Sequence, residues 1–86
     1  MPSTGPELTV TVKLYATLRR YAPEGVDPRS FAMALPAGAT LRTLVERVGL
    51  PATQWKKAFR NSAACGETEE LHDGDVVAFF PPIAGG

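Results

Sequence analysis

The sequence predicts an α+β fold in a single domain, and three observations carry that assignment. Apolar residues alternate near the start, from Leu8 to Tyr15, and a β-rich run, Val76–Phe80, lies near the end. Between them sits one strongly periodic helix with start and stop signals. With 86 residues the chain can enclose only one modest core, so strands and helix must share it.

Residues 1 to 7 carry two prolines, a glycine and no large apolar group beyond Met1, and read as a mobile tail. In Leu8–Tyr15, Leu8, Val10, Val12 and Leu14 face one side and Thr9, Thr11, Lys13 and Tyr15 the other, the pattern of a half-buried strand. Ala16–Ala22 fits a short helical turn, broken by Pro23, Gly25 and Pro28. Phe31, Met33 and Leu35 alternate again in a second strand ending at Pro36, which pairs antiparallel with the first. Thr40 then serves as N-cap for a helix whose Leu41, Leu44, Val45 and Val48 share one face, closed by Gly49 with Pro51 beyond.

After Pro51 the pattern weakens. Trp55 and Phe59 suit one face of a strand near residues 55 to 60, and core packing is the expected fate of both. Asn61-Ser62 reads as a turn, Ala63–Cys65 as a short edge strand and residues 66 to 70 as a loop. His72-Asp-Gly-Asp75 is a strong turn signal that launches Val76–Phe80, and Pro81 and Pro82 end that strand by removing ladder donors. Strand, strand, helix, short strands and a last strand is the order of a β-grasp fold, a mixed sheet of four to five strands covered by one main helix. In that fold the first and last strands run parallel and adjacent.

Nine basic and nine acidic residues cancel, leaving no overall field to draw the chain to nucleic acid or an anionic membrane. Lys56, Lys57 and Arg60 nevertheless precede an acidic stretch of Glu67, Glu69, Glu70, Asp73 and Asp75, which reads as two solvated faces. No run approaches membrane-spanning length and no signal-peptide pattern opens the chain, so the expected location is the cytoplasm. The single cysteine, Cys65, fits that compartment and reads as a small buried or edge-strand thiol. His72, lone in its turn, has no second ligand at metal-binding spacing, so no metal or bound cofactor is expected. The chain also lacks a P-loop, a nucleophile elbow and a dinucleotide fingerprint, so no catalytic motif of these kinds is expected.

The end of the chain is where chemistry is expected. Residues 81 to 86 read Pro-Pro-Ile-Ala-Gly-Gly, and the prolines bias the backbone toward an extended, stiff exit from the sheet. Six residues at ~3.3 Å each reach roughly 20 Å, enough to enter a partner's active-site channel. Gly85 and Gly86 lack Cβ atoms, so they can pass a constriction that any side chain would obstruct.

The stretch Asp73-Gly-Asp-Val-Val-Ala-Phe-Phe-Pro-Pro-Ile-Ala-Gly-Gly86 resembles the C-terminus of ubiquitin-like sulfur carriers, especially the molybdopterin synthase small subunit of the MoaD type, related to the thiamine sulfur carrier ThiS. Val12–Arg19 and the helix opening Ala39–Leu44 resemble the same family more loosely, and residues 51 to 70 match it least. The resemblance implies that a partner of the ubiquitin-activating type adenylates the carboxylate of Gly86, using ATP and magnesium. A persulfide donor then converts it to a thiocarboxylate. The implied acceptor partner is the molybdopterin synthase large subunit, which would contribute the catalytic side chains, the small protein being no enzyme by itself. Sulfur delivery to thiamine thiazole, cysteine or tRNA is the nearest alternative, a ubiquitin-like protein modifier the next, and a β-grasp interaction module with a frayed tail the last.

Strand geometry adds a second expectation. If Leu14 and Phe79 face the core of two parallel neighbours, Tyr15 and Phe80 point outward side by side. They then form an aromatic partner-binding patch next to Pro81 and Pro82, whose tail the partner reads.

Overall fold

The computed structural model describes residues 7–82. The expected N-terminal tail lies almost wholly outside that range, as do Ile83, Ala84 and the two terminal glycines. The elements follow the predicted order: β1 (Glu7–Leu14), a 3₁₀ helix (Ala16–Tyr21), β2 (Phe31–Pro36), α1 (Leu41–Val48), β3 (Lys57–Arg60), β4 (Ala63–Ala64) and β5 (Val76–Phe80). β1 begins one residue before the alternation predicts, because Glu7 still pairs with Pro36.

The five strands form one mixed sheet in the order β2-β1-β5-β3-β4. β1 runs antiparallel to β2 and parallel to β5, in a register that sets Val12 beside Val77 and Leu14 beside Phe79. β5 is therefore the central strand, with β3 antiparallel on its other side and Ala58 opposite Phe79. This is the ubiquitin-like β-grasp arrangement.

One face of the sheet is covered and the other is not. Val10, Val12, Leu14, Val77 and Phe79 point inward to a single cluster with Leu41, Leu44 and Val45 of α1, Leu35 of β2, Leu18 of the 3₁₀ helix, and Leu50 and Leu71 from the connections. The helix is closed at both ends by local chemistry. Thr40 and Thr43 exchange side-chain and backbone hydrogen bonds in a capping box, while Gly49 takes φ 90°, a left-handed position that costs glycine little.

Two turns dock the strands on each other. Asn61 and Ser62 both hold positive φ between Arg60 and Ala63, as a two-residue type I′ hairpin demands. In the second turn Gly74 has φ 89°, its amide donates to the Thr9 carbonyl, and the Thr9 amide donates to Asp73 Oδ1 at 2.8 Å. Asp75 ties the two together. It is 7% exposed, and its carboxylate accepts from the His72 amide at 2.8 Å and from Asn61 Nδ2 at 2.9 Å. Asn61 Oδ1 in turn accepts from the Val76 amide at 2.9 Å, so the start of the central strand is held by a closed polar network.

The basic and acidic stretches, read as two solvated faces, touch through Arg60, while none of the ion pairs among the described residues engages Lys56 or Lys57. Arg60 pairs with Glu69 at 3.2 Å and donates to the Glu70 carbonyl at 2.8 Å, and Arg42 pairs with Glu67 at 3.0 Å. These pairs fasten the irregular 61–70 segment to β3 and α1. Both are solvent-facing, where an ion pair contributes little.

Burial pushes the Asp75 carboxyl up, but its hydrogen bonds from His72 and Asn61 and the neighbouring Arg60 charge outweigh this and leave it below the ordinary carboxylate value. A carboxyl depressed in the folded state stabilises the fold above its unfolded pKa, and loses that contribution as pH falls through the folded one. Asp75→Asn is expected to cost about 1–3 kcal/mol near neutral pH, by breaking the network. In urea titrations carried from neutral pH to below the normal carboxylate range, the gap between variant and wild type is expected to narrow. A gap that stays constant would contradict this role.

Candidate functional site

The end of the central strand carries a cluster of aromatic rings on the uncovered face. Along β5 the side chains alternate, so Val77 and Phe79 enter the core while Val76, Ala78 and Phe80 point to the open side. Phe80 is fixed at both edges of the strand. Its carbonyl accepts from the Lys56 amide at 2.8 Å, and the Tyr15 amide donates to the carbonyl of Phe79 just before it. Pro81 has no amide hydrogen to extend either ladder, so the chain leaves the sheet there.

Tyr15 and Phe80 stack with ring centroids 4.5 Å apart and planes 8° from parallel. The expected outward pair is thus present. Phe59 joins it, its ring 5.6 Å from Phe80 at 89°, edge to face. This corrects the expectation of core packing for Phe59: the register places Ala58 opposite Phe79 on the inside, so Phe59 and Lys57 must face out. Trp55 behaves differently, because it precedes the strand. It sets its edge against Phe79 at 5.4 Å and 86° and packs half-buried on the core.

Together these residues wall an open groove of about 930 Å³ that includes Tyr15, Trp55, Lys56, Lys57, Phe59, Phe80, Pro81 and Pro82. Of the predicted site residues, Tyr15, Phe80, Pro81 and Pro82 therefore line one surface, and Gly85 and Gly86 lie outside the described residues. The Trp55 indole nitrogen is buried without a hydrogen-bond partner among those residues.

Sequence reasoning missed Phe59, Lys13 and Lys57 as neighbours of the site. No local signal could have found Phe59: Ala58 and Phe59 both suit an interior, and only the register of Ala58 opposite Phe79 turns Phe59 and Lys57 outward. Cys65 stays apart, half-buried beyond the end of β4, with burial and the nearby Glu69 carboxylate pushing its thiol up and so away from reactivity. Among the described residues no group of three metal-ligating side chains comes together, and no helix is long and apolar enough to cross a membrane.

Ala16, directly after Tyr15, holds φ 53° in the left-handed region. This reversal sends the chain into the 3₁₀ helix while leaving the Tyr15 ring over Phe80, and it is costly for any residue with a Cβ. Ala16→Gly is expected to raise stability by about 0.5–1 kcal/mol, the relief of that strain less glycine's larger unfolded-state entropy. Thermal or urea unfolding checks it, and destabilisation would show that the reversal is not strained.

The ThiS family model matches residues 12–86. No curated protein matches the sequence. Among solved structures, a Pyrococcus furiosus protein described as molybdopterin converting factor subunit 1 is 31% identical, over 88% of this chain and 99% of that one, with a TM-score of 0.69. SAMP1 from Haloferax volcanii is 25% identical over 91% and 99% of the two chains, with a TM-score of 0.71. The small archaeal modifier protein 1 of Methanosarcina acetivorans shares the fold at 19% identity, covering 95% of this chain and 100% of that one, with a TM-score of 0.67. The family model runs from the middle of β1 to the last glycine, over a ubiquitin-like carrier and modifier fold, and the chain belongs to the ThiS family.

Proposed function

We propose that this protein is a sulfur carrier whose Gly86 carboxylate is activated by a partner and converted to a thiocarboxylate for molybdopterin dithiolene synthesis. The observation that carries the reading is where the chain leaves the central strand, at Pro81 beside an aromatic surface. Such a layout suits a chain that is handled by others.

The chemistry explains the need for partners. A terminal carboxylate has a pKa near ~3.5, is ionised at neutral pH and resists nucleophilic attack. An adenylating enzyme of the ubiquitin-activating type, with ATP and magnesium, joins a carboxylate oxygen to the α-phosphorus and releases pyrophosphate. The resulting acyl adenylate has a good leaving group. A donor persulfide attacks the acyl carbon with its terminal sulfur and expels AMP, leaving an acyl disulfide. A second thiol then attacks the donor-side sulfur, forming a disulfide with the donor and releasing the thiocarboxylate on Gly86. In the large subunit of a molybdopterin synthase, the thiocarboxylate would give up this sulfur to the pterin. The likeness to a protein described as molybdopterin converting factor subunit 1 supports this acceptor over thiamine thiazole, cysteine or tRNA.

A second reading is supported by the likeness to SAMP1 from Haloferax volcanii. There the activated Gly86 would acylate a lysine amine of a target protein, and both uses share the adenylation step.

Incubation with an adenylating enzyme, ATP, magnesium and a sulfide source is expected to add the mass of one oxygen replaced by sulfur, and a variant lacking Gly86 is expected to gain nothing. No mass change with several activating enzymes would overturn the carrier reading, while lysine-linked adducts in cells would support the modifier. Replacing both Tyr15 and Phe80 with Ala is expected to weaken binding to the activating enzyme by about 2 kcal/mol or more, with the fold retained by circular dichroism. Unchanged affinity would remove the aromatic patch from the site.

A further inference from the structure

The outer edge of β2 carries a short, bounded set of backbone groups whose spacing is complementary to itself. β2 ends the sheet on one side, with β1 its only strand neighbour among the described residues. Which of its groups face outward follows from β1. The Thr9 amide donates to Asp73 Oδ1, the Thr9 carbonyl accepts from the Gly74 amide, and the Thr11 and Tyr15 amides donate to the carbonyls of Asp75 and Phe79, all on the β5 side. Residues between these must turn toward β2, and the Leu14 amide does so by donating to the Pro28 carbonyl. Leu8, Val10 and Val12 therefore hold the ladder through their register partners Leu35, Met33 and Phe31. The amides and carbonyls of Ala32 and Ala34 are left aimed away from the sheet.

This edge lacks the features that usually keep such groups from pairing. Phe31-Ala-Met-Ala-Leu-Pro36 carries no charge, its register with β1 is unbroken, and Ala32 and Ala34 are exposed. The opposite edge differs, because β4 is only the two residues Ala63–Ala64. The open segment of β2 is also bounded. At one end the Ser30 amide is spent on the Asp27 carbonyl, and at the other Pro36 has no amide hydrogen and its carbonyl accepts from Ala39.

We propose that this edge pairs with the same edge of a second copy of the chain, antiparallel and two-fold symmetric about Met33, so that two sheets become one. In that register Ala32 of each copy opposes Ala34 of the other, and each such pair exchanges two hydrogen bonds. Every outward amide and carbonyl of Ala32 and Ala34 is then satisfied. Ser30 meets Pro36, where one amide is already bonded and the other is missing, so the pairing stops at both ends together. Those matched ends select a second copy, since they coincide only when the segment meets itself. Met33 lies on the axis, and its side chain, half-buried against the core, is covered by its symmetry mate. The axis is perpendicular to the sheet, so both open aromatic faces lie on one side and the two β5 strands run in opposite directions. Adenylation and sulfur transfer play no part in this inference.

The test uses the full chain without partners. A contact confined to one strand edge belongs with weak, transient interfaces, so the mass in sedimentation equilibrium is expected to rise from one chain near ~10 µM toward two near ~1 mM. Over the same range the Ala32 and Ala34 amides are expected to exchange with solvent more slowly by NMR. Ala34→Pro removes a donor that β1 does not use, and is expected to weaken self-association about tenfold or more. A charge exchange gives a second measurement that spares the backbone. Ala32→Lys with Ala34→Lys in one sample, and Ala32→Glu with Ala34→Glu in another, are each expected to stay single, and their mixture to pair most tightly at low KCl. Melting curves confirm that each variant is folded.

A mass that remains that of one chain up to ~1 mM overturns the proposal, as does exchange at Ala32 and Ala34 that ignores concentration. Wild-type self-association in Ala34→Pro, or a charge-exchange mixture that stays single, overturns this register. An unrelated strand-forming peptide that slows exchange at Ala32 and Ala34 in a chain that does not pair with itself would assign the edge to extended peptides instead.

Discussion

The parallel pairing of β1 with β5 is the constraint on which the rest of the structure depends. Its register sets Leu14 beside Phe79 in the core, and so forces Tyr15 and Phe80 onto the opposite side. The inner half of that ladder supplies much of the apolar cluster with α1. The outer half supplies the stacked rings. A shift of β1 by one residue would bury Lys13 and Tyr15 and expose Leu14, so the stability of the core and the position of the aromatic surface are fixed by the same hydrogen bonds.

The polar network at the other end of β5 completes the arrangement. A parallel strand has no hairpin to hold its register, and here the chain arrives at β5 through a long irregular segment. Asp75 and Asn61, with the Thr9–Asp73 bond, take the place of a hairpin by clamping the first residue of β5 between β3 and β1. Ion pairs from Arg42 and Arg60 then gather the preceding segment against the body. Charged residues that look like separate solvated patches in the sequence serve as fasteners.

Much of the fold was legible because its signals are local. Alternation in Leu8–Leu14, the Thr40 and Gly49 caps, the Asp-Gly turn and the two prolines after Phe80 each act within a few residues. The outward pairing of Tyr15 with Phe80 was legible once the fold supplied the strand order. Phe59 was not, because its facing depends on which residue of β3 opposes Phe79, and nothing within residues 51–60 states that register. Trp55 and Phe59 look alike in sequence and part company because one precedes the strand and the other lies in it. The Asp75–Asn61 contact spans 14 residues and joins two turns, a distance over which sequence pattern carries no information. The strain at Ala16 was hidden for another reason: the residue type gives no warning of a left-handed backbone.

The same ladder has a mechanical meaning. The start of β1 and the end of β5 lie at opposite ends of two parallel strands, so tension drawn between Glu7 and Phe80 loads their hydrogen bonds side by side. Bonds loaded together must yield together, whereas a hairpin pulled open at its free ends gives way one bond at a time. A pull on the chain beyond Phe80 that is resisted at Glu7 therefore meets a seam loaded in shear, not one that unzips.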